Sequence, residues 1–350
     1  MKRVLLEMEK LKNLNSGLGQ VCLALGREFQ KVAQEKCDFT YYVPEDYTGS
    51  FGDQVHYLRK RKRHRFLKIP SKNYDVWHCL HQDSRYFPKN PDTRLVLTIH
   101  DLNFLEKYHG LRRARKLVML QRRVDRAQII TVISKYTANE VQEHLNLRGK
   151  PLHVIPNGNS LDSSRTPEKP SFVNFKRYLF TIGGVSKKKN FHVLLPLLSD
   201  HPDLHLVIAG DHNTSYAQEI RALAVSLGIQ NRVHLPGPVN HDQKYWLYQN
   251  CEAFVFPSLQ EGFGLPVVEA MSLGKPVFLS KLTSLPEVGG VEAFYWDNFD
   301  PETMKRTLKA GLESFDSEKA GRVIAWANRF SWKNASAAYL QLYIDLNGAP

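Results

Sequence analysis

Short apolar runs recur along the chain between longer stretches with helical spacing. In the first half the runs fall at residues 4–6, 40–43, 76–79, 95–99 and 129–133. In the second half they fall at 178–182, 204–209, 233–235, 253–256 and 277–279. Continuous apolar runs of this kind suit strands buried on both faces of a parallel sheet. The stretches between them carry apolar residues one helical turn apart. In 19–33, for example, Val21, Leu25, Phe29 and Val32 share one face. Strand–helix alternation predicts parallel sheets covered by helices, so the fold class is α/β. The strand series restarts after residues 156–172, which are rich in Pro, Ser, Asn and charge and read as a linker. This predicts two doubly wound domains, 1–165 and 172–330, joined so as to form a cleft. In open α/β sheets ligands bind beyond the carboxyl ends of the strands, so chemistry is to be sought just after each run.

Composition supports this division. A chain of 350 residues suits two domains, and 42% hydrophobic with 24% charged residues excludes disorder, collagen and coiled coil. The net charge of +13 is unevenly placed. Residues 1–170 hold 31 Lys and Arg against 18 Asp and Glu, while 171–350 hold 17 of each. Only the first domain is therefore expected to meet something anionic. The four cysteines, Cys22, Cys37, Cys79 and Cys251, are widely spaced and form no CxxC pair, which argues against a zinc or redox site. The start has only a three-residue apolar stretch before Glu7, too short for a secretory signal. No run of about 18 apolar residues could span a bilayer. The default compartment is the cytoplasm, with the inner face of the cell membrane left open as a place of work.

The most distinctive segment follows the run at 253–256. Pro257 and Ser258 lead to a glycine-bearing turn, Glu261-Gly262-Phe263-Gly264, and then to a helix over 265–272 with Pro266 in its first turn and Gly274 just past its end. The free N–H groups at such a helix start suit a phosphate. Glu261 lies ahead of the helix and Glu269 is expected about two turns into it. A carboxylate accepts two vicinal hydroxyls well, as on a ribose or hexose. Taken alone, Glu261 reads as a loop cap and Glu269 as a solvated helix residue; the two together with the glycines and this placement point to the ligand.

Other segments follow strands in the same way. Gly183 and Gly184 precede Lys187, Lys188, Lys189 and Asn190. Asn15-Ser16-Gly17-Leu18-Gly19 lies in the first domain and is a damaged dinucleotide fingerprint. His100-Asp101 ends another run, and His81 follows the one at 76–79. Ser134 is placed to cap a helix.

The spacing of Glu261 and Glu269 is an E-x7-E motif, and here the chain resembles the large family of retaining glycosyltransferases that includes sucrose synthases and many bacterial lipopolysaccharide and mannosyl transferases. The likeness extends along nearly the whole chain. It implies the GT-B fold, two Rossmann-like domains facing across a cleft, and transfer of a sugar from a nucleotide-sugar donor with retention and without a metal or other cofactor. The absence of a D-x-D triplet agrees. The resemblance implies that Glu261 meets the donor sugar and Glu269 the ribose. Gly262 and the amides of Phe263, Gly264 and Leu265 would meet the diphosphate. The family pattern G-R-x-x-x-x-K-N places its Lys on Lys189 and its Asn on Asn190, beside Gly183 and Lys188. Its Arg falls on Gly184, so one cation is missing, for which Lys187, Lys188 or a basic residue of the first domain is a substitute.

The glycine loop at Gly17 and Gly19 is similar to one whose backbone approaches the diphosphate and the acceptor. His100 matches a histidine near the donor sugar's primary hydroxyl, with its carbonyl toward the reaction centre. His81 is a candidate for the acceptor side. Residues 233–239, with Gly237, resemble the segment that cups the base. Residues 155–158, Ile-Pro-Asn-Gly, match the domain crossover, where a hinge role suffices. Phe330-Ser331-Trp332 resembles the family's F-S-W, after which the last helix, within about 333–350, is expected to return to the first domain.

Two clusters hold much of the charge, 59–68 with Arg59, Lys60, Arg61, Lys62 and Arg63, and 111–126 on an amphipathic helix. Each can be a solvated face. In this family the first domain binds the acceptor, so a glycan or lipid-linked acceptor at an anionic membrane would explain them. The donor would be a UDP, GDP or ADP sugar. Two competitors remain. A nicotinamide oxidoreductase would need the third glycine that is lacking. A nucleic-acid- or polyanion-binding protein would use the basic first domain, although no specific nucleic-acid motif is present.

Overall fold

The computed structural model describes residues 1–14, 16–32, 35–65, 73–161 and 166–346, with Arg63 and Arg65 described by backbone alone. Contacts divide the chain into two units, Met1–Gly158 with Ser331–Pro350, and Asn159–Phe330.

The first unit contains strands β1 Lys2–Glu7, β2 Cys37–Val43, β3 His56–Arg59, β4 Val76–Cys79, β5 Arg94–Ile99, β6 Ile129–Val132 and β7 Leu152–Val154. Helices α1 Gly17–Lys31, α2 Phe104–Lys107, α3 Gly110–Arg126 and α4 Lys135–His144 lie between them. All the strands pair in parallel, in the order β3-β2-β1-β4-β5-β6-β7. The chain starts in the middle, builds to one edge, and resumes on the other side, so the order reverses between β1 and β4. In α1, Ser16 Oγ accepts the Gly19 N–H at 3.1 Å as N-cap, and Val21, Leu25 and Phe29 are buried one turn apart.

The second unit repeats the plan. Its strands are β8 Arg177–Ile182, β9 Leu204–Ala209, β10 Val233–Gly237, β11 Ala253–Phe256, β12 Val277–Ser280 and β13 Phe294–Trp296. Its helices are α5 Ser215–Ser226, α6 His241–Asn250, α7 Leu265–Ser272, α8 Leu285–Gly289, α9 Pro301–Glu313 and α10 Ser317–Ala327. The parallel order is β10-β9-β8-β11-β12-β13, with the reversal between β8 and β11.

The last helix, α11 Trp332–Asp345, belongs to the first unit. Tyr343 packs against Phe29 and Phe39. A buried polar chain ties α11 to the sheet. Tyr343 OH lies 2.6 Å from His78 Nδ1, and His78 Nε2 lies 2.7 Å from Thr98 Oγ1. Thr98 Oγ1 in turn meets Thr131 at 2.7 Å and Tyr339 at 3.3 Å. Burial pushes His78 down to about 3, so the ring is neutral. Gly158 needs no hinge to explain it. A Cβ there would sit 2.1 Å from the Trp332 nitrogen, so glycine permits the start of α11 to pass.

Two expectations change. The strands β3, β7 and β13 were not foreseen. Each is a short edge strand with partly exposed residues; β3 and β7 mix polar with apolar residues, while β13 is an aromatic run of only three residues. The described part of the expected linker is packed on the second unit. Glu168 donates its N–H to the Asp242 carbonyl at 3.2 Å, and Asn240 Nδ2 donates to Glu168 Oε2 at 3.3 Å.

Candidate functional site

The loops leaving β8 and β11 meet where the strand order of the second unit reverses. The Lys188 carbonyl accepts the Leu259 N–H at 2.7 Å and the Ser258 hydroxyl at 3.2 Å, which joins the two loops. Lys189 closes a short 3-10 turn that ends on Asn190, a buried residue in the left-handed region at φ 57°. Lys189 Nζ lies 2.5 Å from Glu261 Oε1 and 4.8 Å from the centre of the Phe256 ring. Both charged side chains are 13% exposed, shielded enough for the pair to matter and open enough to be reached. Gly183 has φ +150°, and a Cβ there would come 3.3 Å from Lys189 Cε, so glycine leaves the lysine its place.

The Glu261 loop is also held from β12. Its N–H donates to Thr283 Oγ1 at 3.1 Å, and its carbonyl accepts the Ser284 hydroxyl at 2.9 Å. Ser284 bonds the Phe263 carbonyl as well, at 2.9 Å. Gly264 at φ +111° is the N-cap of α7 and offers no side chain as a cap. Among the described residues no acceptor meets the N–H of Phe263, Gly264 or Leu265. Three donors therefore point off the helix start, the arrangement that suits a phosphate.

Glu269 is the fifth residue of α7, one turn in rather than two. At 4% exposure it is no solvated helix residue. Its Oε1 accepts Lys244 Nζ at 2.7 Å and its Oε2 accepts the Tyr248 hydroxyl at 2.9 Å. Both partners come from α6, four residues apart. Around Gly184 there is open space. Of the proposed substitutes, Lys187 pairs with Glu219 at 3.2 Å, and Lys188 is exposed and contributes its carbonyl. Gly237 ends β10 at φ +87°, and a Cβ there would lie 3.7 Å from the His212 ring. Gly262 lies between Glu261 and Phe263 in the same turn.

The first unit has a different reversal point. Glu7 ends β1, fully buried, and its Oε1 accepts the Glu9 N–H at 2.9 Å. Its Oε2 faces His81 Nε2 at 3.4 Å, and neither of these two buried atoms completes a hydrogen bond. His81 Nδ1 accepts the Asp83 N–H at 3.1 Å, which places the ring proton on Nε2. Nε2 then has no lone pair for a cation, although Glu7, Glu9 and His81 lie close enough to hold one. Burial raises Glu7 to about 7, against the opposing Glu9 amide and Ser84 hydroxyl, and drives His81 well below its usual value. His81 does not line an acceptor surface, since at 1% exposure it faces Glu7 instead.

His100 is the first residue past β5. Its Nε2 donates to the Leu80 carbonyl at 2.7 Å, and burial lowers it to about 4. The neutral ring keeps Nδ1 as an acceptor. The His100 carbonyl accepts the Thr137 hydroxyl at 3.3 Å. Gln82 brackets the His-Asp pair, accepting the His100 N–H at 3.0 Å and donating to the Asp101 carbonyl at 2.9 Å. Ser134 caps α4 through the Thr137 N–H at 3.1 Å.

The glycine loop is corrected in its reason. Gly17 is exposed at the start of α1, but Gly19 is buried, with its N–H taken by Ser16. A Cβ on Gly19 would stand 2.1 Å from the Asn13 carbonyl, so packing of the preceding turn requires that glycine. The basic cluster is also partly spoken for. Lys60 pairs with Glu9 at 2.5 Å, and Arg59 lies 3.8 Å from Glu45. Arg61 and Lys62 are exposed, while the Arg63 side chain and residues 66–68 lie outside the described residues. On α3 a hollow of about 300 Å³ is lined by Phe87, Met119, Arg122, Arg123 and Arg126. Leu111, Val118 and Met119 of this helix are exposed.

Sequence reading missed Lys244, Tyr248, Glu7 and Gln82. Lys244 and Tyr248 carry the i, i+4 spacing of one helix face, but nothing local says that the face meets Glu269.

Two Rossmann-like α/β units in one chain make up the GT-B fold, and solved structures align with the whole chain. Sucrose-phosphate synthase from Thermosynechococcus elongatus matches with a TM-score of 0.75 at 16% identity, covering 100% of both chains. The Anabaena protein HepE, solved with UDP and glucose, matches with a TM-score of 0.71 at 18% identity, again over 100% of both. The family model described as glycosyl transferases group 1 matches residues 162–320, and that of glycosyltransferase family 4 matches 16–163. The chain belongs to this glycosyltransferase family. The O-antigen chain mannosyltransferase B of Escherichia coli is 26% identical over 281 residues, 75% of this chain and 73% of that protein. Three further Escherichia coli mannosyltransferases are 28–29% identical, and there the match spans about a third of their length. Among the described residues no helix is long and apolar enough to cross a membrane.

Proposed function

We propose that this glycosyltransferase moves a hexose-type sugar from a nucleotide-diphosphate sugar to a hydroxyl of a glycan or lipid-linked acceptor, in the assembly of O-antigen, lipopolysaccharide or a related polysaccharide. The observation that carries this reading is the meeting of Lys189, Glu261 and the three unpaired amides at the start of α7. A diphosphate needs cation and N–H donors, and a sugar needs an acceptor of hydroxyl hydrogens beside it. Glu269 takes the ribose hydroxyls, and Gly183, Lys188, Asn190, Gly237 and Gly262 shape the donor pocket. His100 offers Nδ1 to a hydroxyl of the donor sugar. The names of the relatives point to mannose as the sugar, and HepE was solved with UDP and glucose.

The acceptor oxygen bonds to the anomeric carbon as the bond from that carbon to the diphosphate oxygen breaks on the same face. The acceptor proton passes to the departing diphosphate oxygen, and the configuration is retained. We assign the leaving charge to Lys189 and the α7 amides, with no metal given a part. We further propose that α3, with exposed apolar side chains beside arginines, rests on an anionic membrane surface.

Incubation with UDP, GDP and ADP sugars tests the reading. One of them should release its nucleoside diphosphate, with the sugar transferred to an acceptor glycan. Release from none of them overturns it.

A further inference from the structure

Glu269 is held by more than the motif that contains it. Its two oxygens take different donors, a charged one from Lys244 at 2.7 Å and a neutral one from Tyr248 at 2.9 Å. Tyr248 is fixed. Its ring is fully buried, with the ring centres of Phe180 and Phe254 at 5.0 and 5.4 Å. Lys244 lies one turn nearer the start of α6, and that start is locked by a capping box between Asn240 and Gln243. The lysine side chain is 14% exposed, so it reaches the edge of the site but spends its charge inward.

Each carboxylate oxygen accepts two hydrogen bonds, and each here has given one. One position stays open on each oxygen, the pair that vicinal hydroxyls require. A buried carboxylate also needs a compensating cation, and Lys244 is the cation in contact with it. A neutral donor at this position would leave the charge uncompensated, and no donor would leave the group free to turn.

We propose that Lys244 is a positioning residue for the donor nucleotide, compensating the buried charge of Glu269 and aiming its two open acceptor positions at the 2′ and 3′ hydroxyls of the ribose. This rests on the donor reading of the same site. It gives Lys244 no contact with the diphosphate, although it is a third lysine of that site and one family cation is missing at Gly184.

Calorimetric titration separates the roles. Wild type, Lys244→Met and Lys244→Arg are titrated with whichever of UDP, GDP or ADP binds, and with its 2′,3′-dideoxy analogue. Wild type is expected to prefer the ribonucleotide by about 30-fold. In Lys244→Met the ribonucleotide should weaken at least tenfold and the analogue by less than about twofold, so the preference collapses. Lys244→Arg should keep most of it. Equal weakening of both ligands would make Lys244 a phosphate ligand and overturn the proposal, as would unchanged preference. Should Lys244→Met not fold, Lys244→Gln in the same titration decides, since it keeps a donor and loses the charge. Failure of all three diphosphates to bind wild type would overturn the donor reading itself, an outcome distinct from a preference that survives the substitution.

Discussion

The two units share one plan and put opposite chemistry at the same place in it. Each sheet reverses its strand order once, and each brings loop residues together at that reversal. In the second unit the carboxylates Glu261 and Glu269 arrive with lysines already on them. In the first unit Glu7 arrives with a neutral histidine. The unit with no excess charge therefore has carboxylates paired with lysines, and the basic half has a fully buried carboxyl that faces a neutral ring. Net charge describes a surface, while pairing and burial decide what a site can hold. A charged pair at the edge of a site, such as Lys189 with Glu261 at 13% exposure each, can exchange partners with a ligand. A fully buried carboxyl against a neutral ring has no such partner to exchange.

The sharpest way to break this contrast is to remove charge from the second unit. Glu261→Gln and Lys189→Ala should each lower turnover about 10²–10³-fold with the melting temperature little changed. Near-normal rates in Lys189→Ala would move the phosphate role to Lys187 or Lys188.

The first unit should answer to pH instead. Glu7 is raised from 4.5 to about 7, so the fold favours its neutral form. Its cost to stability is absent below pH 4.5, grows between 4.5 and 7, and is constant above, at about 3 kcal/mol. Relative to wild type, Glu7→Gln should gain stability between pH 5 and pH 8 in urea melts. An unchanged difference would contradict the burial described for Glu7. The buried histidines act in the other direction. His78 and His100 are lowered to about 3 and about 4, so wild type should lose stability as pH falls below 6.5.

A smaller effect is expected at Glu269. Glu269→Ala should weaken nucleoside diphosphate binding roughly 10–100-fold in titration. Unchanged affinity would remove the ribose assignment. The smallest effects belong to the basic surface. Arg115→Ser and Arg122→Ser on α3, and Arg61→Ser and Lys62→Ser after β3, should each weaken binding to phosphatidylglycerol vesicles by about 1 kcal/mol. Lys60 is left out because it neutralises Glu9. If vesicle binding survives all four, the membrane proposal fails.

Much of this was legible in the chain. The central strands are apolar on both faces and announce themselves, and α7 lies where Pro266 and Gly274 placed it. Edge strands such as His56–Arg59 do not, because half of such a strand faces solvent. The E-x7-E spacing, the Lys189 turn and the His100 position were readable as local pattern. Their partners were not. Glu7 meets His81 across 74 residues of chain, and Lys244 meets Glu269 across two elements, so only the fold brings them together. Gly19 shows the converse. Its place in a glycine loop suggested a ligand, yet the Asn13 carbonyl alone accounts for it.

The central claim is that the reversal point of the second unit binds a nucleotide-diphosphate sugar through Lys189, Glu261 and the start of α7. Thermal melting of wild type and Lys189→Ala against UDP, GDP and ADP sugars tests it most directly. One sugar nucleotide should raise the wild-type melting temperature by several degrees and leave Lys189→Ala almost unmoved. Equal shifts in both proteins, or none in wild type, would contradict it.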